Sequence, residues 1–289
     1  MSTAGPAEPP EERAARYPFA QPAGSYVHTR AGDLPLVDPA APWGPGTLLR
    51  DGGRTTTWSG VRDAAGAADV PRHAVLGYGS NPAPETLARK FRSAPDRGVA
   101  VPVLALALHD VDAVWSAHVH AGYVPATIAP SPGTVLRAWA LLLTDEELGV
   151  VNASESLGRN YALGRLRGAR ATWADGSPCR DLRTYVSLHG ALTDAGAPVA
   201  VGPVPADGRR LPALDEPGVL RLVHGRTADG APRGAFLRAL AVDPAAAAAC
   251  TTRLRSDAQP FAWPGWEQLE PAPADGAPAD RTTAGGTSV

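Results

Sequence analysis

The chain has 289 residues, of which 44% are hydrophobic and 19% charged, so a sizeable core is expected and wholesale disorder is excluded. Its formal net charge of −2 and its pI of about 6.4 exclude a strongly basic surface for nucleic acid or an anionic membrane. The two cysteines, Cys179 and Cys250, are too few for a disulfide framework or a thiolate zinc site. Of the 27 basic residues only Lys90 is a lysine.

Both ends of the chain are poor in large apolar residues. Residues 1–24 and 271–289 are rich in Pro, Ala, Gly, Ser and Thr, which predicts disordered tails. Residues 25–72 mix Pro and Gly with isolated apolar side chains and are interpreted as an irregular lead-in to one domain over 73–270. The N-terminus lacks the apolar segment of a secretory signal, and no apolar stretch approaches the roughly 18 residues of a membrane span. A cytoplasmic protein is therefore expected.

Short strand-like runs separated by Gly and Pro occupy residues 73–190. In one of them Asp110 and Asp112 alternate with apolar residues, which predicts a strand with one side in solvent. This spacing favours a small barrel or a strongly curved sheet, so the predicted fold class is α+β, a small mixed β-barrel with peripheral helices. The predicted strands cover 73–78, 99–109, 111–115, 125–128, 135–143, 161–173 and 182–188.

Helical patterns interrupt and follow these strands. A helix is expected after Pro84, and the Thr-Asp-Glu-Glu sequence at 144–147 is typical of a capped helix start. Residues 214–255 carry two amphipathic patches and then Asp243-Pro244, which predicts a further helix N-terminus before an alanine run.

The stretch Tyr78-Gly-Ser-Asn81 lies between an apolar strand and a proline-led helix start. A strand–turn–helix connection presents free backbone N–H groups, which attract anions. Gly79 permits a positive φ or a close backbone approach, and Ser80 and Asn81 suit a turn or a helix start. The residues themselves are compatible with a carboxylate site that needs no basic side chain, or with a polar turn that holds no ligand.

Other chemistries have less support in the sequence. His118 and His120 share one side of a predicted strand near Asp110 and Asp112, but a third metal ligand at convincing spacing is missing. The segment 77–81 does not match the Gly-x-Ser-x-Gly elbow of hydrolases, and it lacks both the third glycine of a dinucleotide fingerprint and the lysine of a phosphate loop. A metal-dependent hydrolase is therefore the least favoured of three hypotheses.

Beyond the turn, the chain continues with Ala-Thr-Ile at 126–128, Ser-Pro-Gly at 131–133, a strand, a helix start, and then Glu155 and Tyr161. This order, over about residues 73–190, resembles the γ-glutamylcyclotransferase-like family. The resemblance implies that the backbone amides of the turn hold a glutamyl carboxylate and that Glu155 is the catalytic base and then acid. The residues that it implies for substrate binding are Tyr78, Gly79, Ser80, Asn81, Tyr161 and Tyr185.

The function implied by this resemblance is a cofactor-free enzyme that releases 5-oxoproline from a γ-glutamyl amine or amide. It implies no metal and no organic cofactor, and its partner is a small γ-glutamyl substrate rather than nucleic acid or a membrane. The amine side stays open: glutathione, its breakdown dipeptides, γ-glutamyl polyamines and a natural-product intermediate all fit. Oligomeric state is not predicted.

One departure from the family pattern lies beside the candidate base. Ser156 follows Glu155 where the family usually has glycine, and the spacing to Tyr161 differs by about a residue. A different loop shape at this point would favour the alternative hypothesis, a non-catalytic small-molecule binding or interaction module on the same fold.

Overall fold

The computed structural model describes residue 12 and residues 14–92 and 98–269. One large mixed sheet and two small hairpins contain the strands. In chain order the strands are β1 (Tyr26–Thr29), β2 (Gly32–Pro35), β3 (Leu48–Asp51), β4 (Arg54–Thr57), β5 (His73–Gly77), β6 (Ala100–Trp115), β7 (Ala126–Leu143), β8 (Tyr161–Leu166), β9 (Ala171–Trp173), β10 (Leu182–Ser187), β11 (Thr193–Asp194), β12 (Ala197–Pro198), β13 (Ala200–Val201), β14 (Ala206–Asp207), β15 (Ala213–Leu214) and β16 (Trp266–Gln268).

The helices begin where the sequence offers capping residues. Thr144 and Glu147 form both halves of a capping box, and the Asp243 side chain accepts the N–H of Ala245, as predicted. In the described part of the chain no helix is both long and apolar enough to cross a membrane. The helices are α1 (Trp58–Ala65), α2 (Pro84–Lys90), α3 (Asp145–Ser154), α4 (Glu216–Thr227), α5 (Arg233–Val242) and α6 (Pro244–Leu254).

The long antiparallel pair β6–β7 forms the centre of the large sheet. The strand order is β15-β13-β6-β7-β5-β10-β8-β16, with β10 parallel to β5 and β15 parallel to β13. The α+β class is confirmed. Among the described strands the order ends at β15 on one side and β16 on the other without closing on itself, so the predicted barrel is not found.

Two predicted chain breaks are irregularities inside long strands. The runs 99–109 and 111–115 are joined in β6, where Asp110 has φ +62° and the register shifts between His109 and Val111. Opposite it, β7 continues past the Ser-Pro-Gly segment, and the N–H of Gly133 donates to Asp110 Oδ1 at 2.9 Å. This side-chain bond stabilises an irregular pairing that would otherwise end the strand pair.

The prediction of a solvent-facing side for β6 is wrong at Asp112. The side chain of Asp112 is fully buried and accepts two hydrogen bonds from Arg209, at 2.8 and 2.9 Å. Because a buried carboxylate is costly without a charged partner, this arrangement depends on an arginine 97 residues further along the chain.

Residues 25–72 are not an irregular lead-in. β1 pairs with β6 from Tyr26 to Thr29, and Val27 is fully buried, so this segment belongs to the same sheet as the predicted domain. The predicted N-terminal tail is also partly wrong, because Tyr17 and Phe19 pack into the main hydrophobic core. The rest of the predicted tails, residues 1–11, 13 and 271–289, lies outside the described residues, except that residue 12 is described.

Candidate functional site

The Tyr78–Asn81 turn connects the end of β5 to the start of α2, as predicted. Gly79 is required here for close approach: a Cβ on Gly79 would lie 2.7 Å from Tyr17 Oη and 3.2 Å from Ala126 Cβ. The side chain of Gln21 also reaches this turn, and its Nε2 donates to the Gly79 carbonyl at 3.2 Å. The backbone of the turn is thus packed between the N-terminal segment and β7.

The turn offers unpaired donors. Within the described part of the chain, the N–H groups of Gly79, Ser80 and Asn81 donate to no protein acceptor. They precede the N-terminus of α2, whose N-cap residue Ala83 has no side chain to cap it. Free N–H groups at a turn before a helix form a site for an anion.

Glu155 reaches the same place from the other direction. It is the C-cap residue of α3, and its Oε1 accepts hydrogen bonds from Lys90 Nζ at 2.5 Å and from Asn81 Nδ2 at 3.2 Å. The side chains of Glu155 and Lys90 are only 14% and 7% exposed. The Asn81 Oδ1 is buried and has no partner in the described structure. A carboxylate and an amide oxygen therefore lie together as acceptors next to the N–H groups of the turn.

Ser156 adopts the left-handed conformation, with φ +51°. Glycine reaches this region at no steric cost, whereas serine is strained there. The main-chain oxygen of Ser156 accepts the N–H groups of Arg159 and Asn160, which stabilises the loop in this shape. The departure at Ser156 thus keeps a glycine-like backbone, and Glu155 lines the cavity.

The tyrosines expected at the site use their hydroxyl groups for structure. Tyr78 donates to the carbonyl of Tyr185 at 2.6 Å, and Tyr161 donates to the carbonyl of Ala126 at 2.8 Å. Tyr185 donates to Asn152 Oδ1 at 2.6 Å. Burial raises the pKa of all three phenols, so they stay protonated and these bonds persist at neutral pH. Their rings shape the cavity, while their protons serve the protein itself.

One cavity of about 650 Å³ brings these groups together. All seven residues implied by the resemblance lie in its wall. Tyr17, Lys90 and Tyr123 also line it, and sequence reasoning did not select them for the site. The single lysine of the chain was a signal for Lys90, whereas Tyr17 belongs to a segment whose composition indicates disorder.

His118 and His120 both line this cavity, but they do not form a metal cluster with the nearby aspartates. Asp112 is bound to Arg209, and His118 Nδ1 lies 2.7 Å from Ser116 Oγ. Burial, followed by the charges of His189 and His120, lowers the pKa of His118 well below its ordinary value. Among the described residues no group of three or more His, Cys, Asp or Glu side chains could hold a metal ion.

Comparisons with known proteins give little beyond partial similarity in structure. Neither a protein-family model nor a curated protein matches the chain. A solved structure named gamma-glutamyl cyclotransferase is 16% identical with a TM-score of 0.33, over 40% of this chain and 66% of that one. An uncharacterized protein from Homo sapiens is 16% identical with a TM-score of 0.33, over 40% and 67%. A protein from Arabidopsis thaliana is 21% identical with a TM-score of 0.31, over 42% and 72%. The chain thus spans just under two thirds of the first of these structures.

Proposed function

We propose that the chain is a cofactor-free γ-glutamylcyclotransferase-like enzyme that releases 5-oxoproline from a γ-glutamyl amine or amide. The observation that carries the proposal is the position of Glu155 in one cavity with a turn that has unpaired N–H groups. A γ-glutamyl group carries an α-carboxylate and an α-ammonium on the same carbon, so it needs N–H donors and an acceptor side by side.

The turn and the acceptors account for binding. The N–H groups of Gly79, Ser80 and Asn81 would hold the α-carboxylate. The α-ammonium would lie against Glu155 and the unpartnered Oδ1 of Asn81. Lys90 contacts Glu155 Oε1, which leaves Oε2 for the substrate because within the described structure Oε2 has no hydrogen-bond partner. Gripping both groups holds the amine near its own γ-carbonyl, in attack geometry.

The chemistry then needs one proton carrier. Glu155 takes a proton from the ammonium, the freed amine attacks the γ-carbon, and a C–N bond closes the five-membered ring. As the tetrahedral intermediate collapses, the bond to the leaving nitrogen breaks and Glu155 returns the proton to that nitrogen. The products are 5-oxoproline and a free amine, and no water is consumed.

The test is the release of 5-oxoproline from a panel of γ-glutamyl amines and amides. Wild type should release it, and Glu155→Gln should lower kcat by about 100-fold or more, as expected for loss of a general base. Glu146→Gln is the matched control, because Glu146 is exposed in the first turn of the same helix α3. Release that survives Glu155→Gln would show that another group carries the proton.

The contact between Lys90 and Glu155 is the observation that favours the alternative, a binding module without turnover. A carboxylate already held by an ammonium at 2.5 Å is a less available base. Under this alternative, wild type binds 5-oxoproline or a γ-glutamyl amine but releases no product from any member of the panel. Calorimetry on the same panel separates the two functions.

A further inference from the structure

The N-terminal segment contributes to the wall of the cavity next to the turn. Arg16 pairs with Glu85 of α2 at 2.9 Å, and Gln21 donates to the carbonyl of Gly79. Between them, Tyr17 inserts its ring into the core, where it stacks on Tyr123 with ring centroids 4.8 Å apart. Tyr17 is 6% exposed and lines the cavity, so its position is fixed by packing on several sides.

The hydroxyl of Tyr17 differs from those of the other three tyrosines at the site. It accepts the N–H of Ala126 at 2.7 Å, whereas Tyr78, Tyr161 and Tyr185 each donate to a protein oxygen. Within the described ranges the Tyr17 hydroxyl proton goes to no protein acceptor. Burial raises its pKa well above the ordinary value, so the group is a protonated donor at neutral pH.

The position of this donor indicates its target. Tyr17 Oη lies so near the turn that a Cβ on Gly79 would be only 2.7 Å from it. It therefore lies beside the same N–H groups that would hold the substrate carboxylate. A rigid hydroxyl with one lone pair used by Ala126 and a free proton is a preorganised donor to that carboxylate.

We propose that Tyr17 is a substrate-binding residue that donates a hydrogen bond to the α-carboxylate held at the Gly79 turn. The inference rests on the proposed function for the identity of the ligand, while the site itself would serve any small carboxylate of this shape. It makes residues 14–21 part of the binding site, although they lie outside the stretch that carries the family resemblance.

The test compares two probes that share a lactam ring: 5-oxoproline, which has the carboxylate, and 2-pyrrolidinone, which lacks it. Tyr17→Phe should weaken 5-oxoproline binding by about 10- to 100-fold, typical of a lost bond to a charged group, and should leave 2-pyrrolidinone binding unchanged. Where turnover is measured, KM should rise more than kcat falls. Tyr26→Phe is the control, because it removes a buried hydroxyl outside the cavity, one that donates to the carbonyl of Pro82.

The outcomes separate this inference from the proposed function. If wild type turns over γ-glutamyl substrates and Tyr17→Phe changes 5-oxoproline affinity less than about threefold, well below the loss expected for a bond to a charged group, Tyr17 has no binding role and the enzyme proposal stands. If wild type shows no turnover but Tyr17→Phe still loses carboxylate-selective binding, the inference stands alone. Equal loss for both probes, or no 5-oxoproline binding by wild type, overturns it.

A second variant keeps the inference testable if Tyr17→Phe unfolds. Gln21→Leu removes the bond to the Gly79 carbonyl and keeps the Tyr17 hydroxyl. In that case a selective loss of 5-oxoproline binding in Gln21→Leu supports the inference, and an unchanged affinity opposes it.

Discussion

Replacing Ser156 with glycine should stabilise the protein. Ser156 has φ +51°, a region that costs a residue with a side chain about 1–2 kcal/mol. Glycine relieves this strain but loses about 0.5–1 kcal/mol through its greater freedom in the unfolded chain. The bonds from Arg159 and Asn160 use the main-chain oxygen of residue 156, so the substitution keeps them. The expected net gain is about 0.5–1 kcal/mol in the free energy of unfolding.

The assay is urea denaturation at neutral pH, with Gly158→Ala as the matched variant in the same loop. Gly158 has φ +77°, and no atom lies within 4 Å of the place that an alanine methyl group would take, so the alanine tests backbone strain without a clash. It should lower the free energy of unfolding by about 1 kcal/mol. Since Glu155 keeps its place, 5-oxoproline release by Ser156→Gly should match wild type. A less stable Ser156→Gly, or a more stable Gly158→Ala, would refute the reasoning.

Three further predictions concern the turn and the buried charges. Gly79→Ala should lower kcat/KM by about 10- to 100-fold, because its methyl group would displace Tyr17 and the turn, as steady-state kinetics can measure. Burial raises the pKa of Glu216, so wild type loses stability as the pH rises from the unfolded-state value through the folded one. Glu216→Gln should therefore be more stable than wild type at high pH and equal to it below about pH 4, by denaturation at each pH. Arg209→Met should cost about 3–5 kcal/mol in urea unfolding, because it leaves Asp112 buried and unpaired, and adding Asp112→Leu should restore most of it.

Each of these has a contrary result. Unchanged kinetics for Gly79→Ala would mean that the turn tolerates displacement. A stability difference for Glu216→Gln that does not vary with pH would separate its effect from ionisation. An Arg209→Met variant within about 1 kcal/mol of wild type, far below the expected cost of an unpaired buried charge, would show that Asp112 is solvated in solution.

Local patterns account for the parts of the site that were predicted. The apolar run before Gly79 and the proline after Asn81 set a strand–turn–helix, and the capping box at Thr144 starts the helix that ends beside Glu155. These signals act within a few residues, so they are legible without knowledge of the fold. The close approach at Gly79 was one of two interpretations of that glycine, and the structure selects it over a positive φ.

By itself the sequence determined the α+β class, the position of the turn, the helix that carries Glu155 and the motif order that suggests a γ-glutamyl ligand. Only the tertiary structure decided how the strands pair, that Asp112 is buried, and that Tyr17 and Lys90 border the cavity. The physical reason is separation along the chain. Tyr17 meets Ala126 across 109 residues and Lys90 meets Glu155 across 65, and such contacts arise from packing and charge pairing that no local pattern encodes.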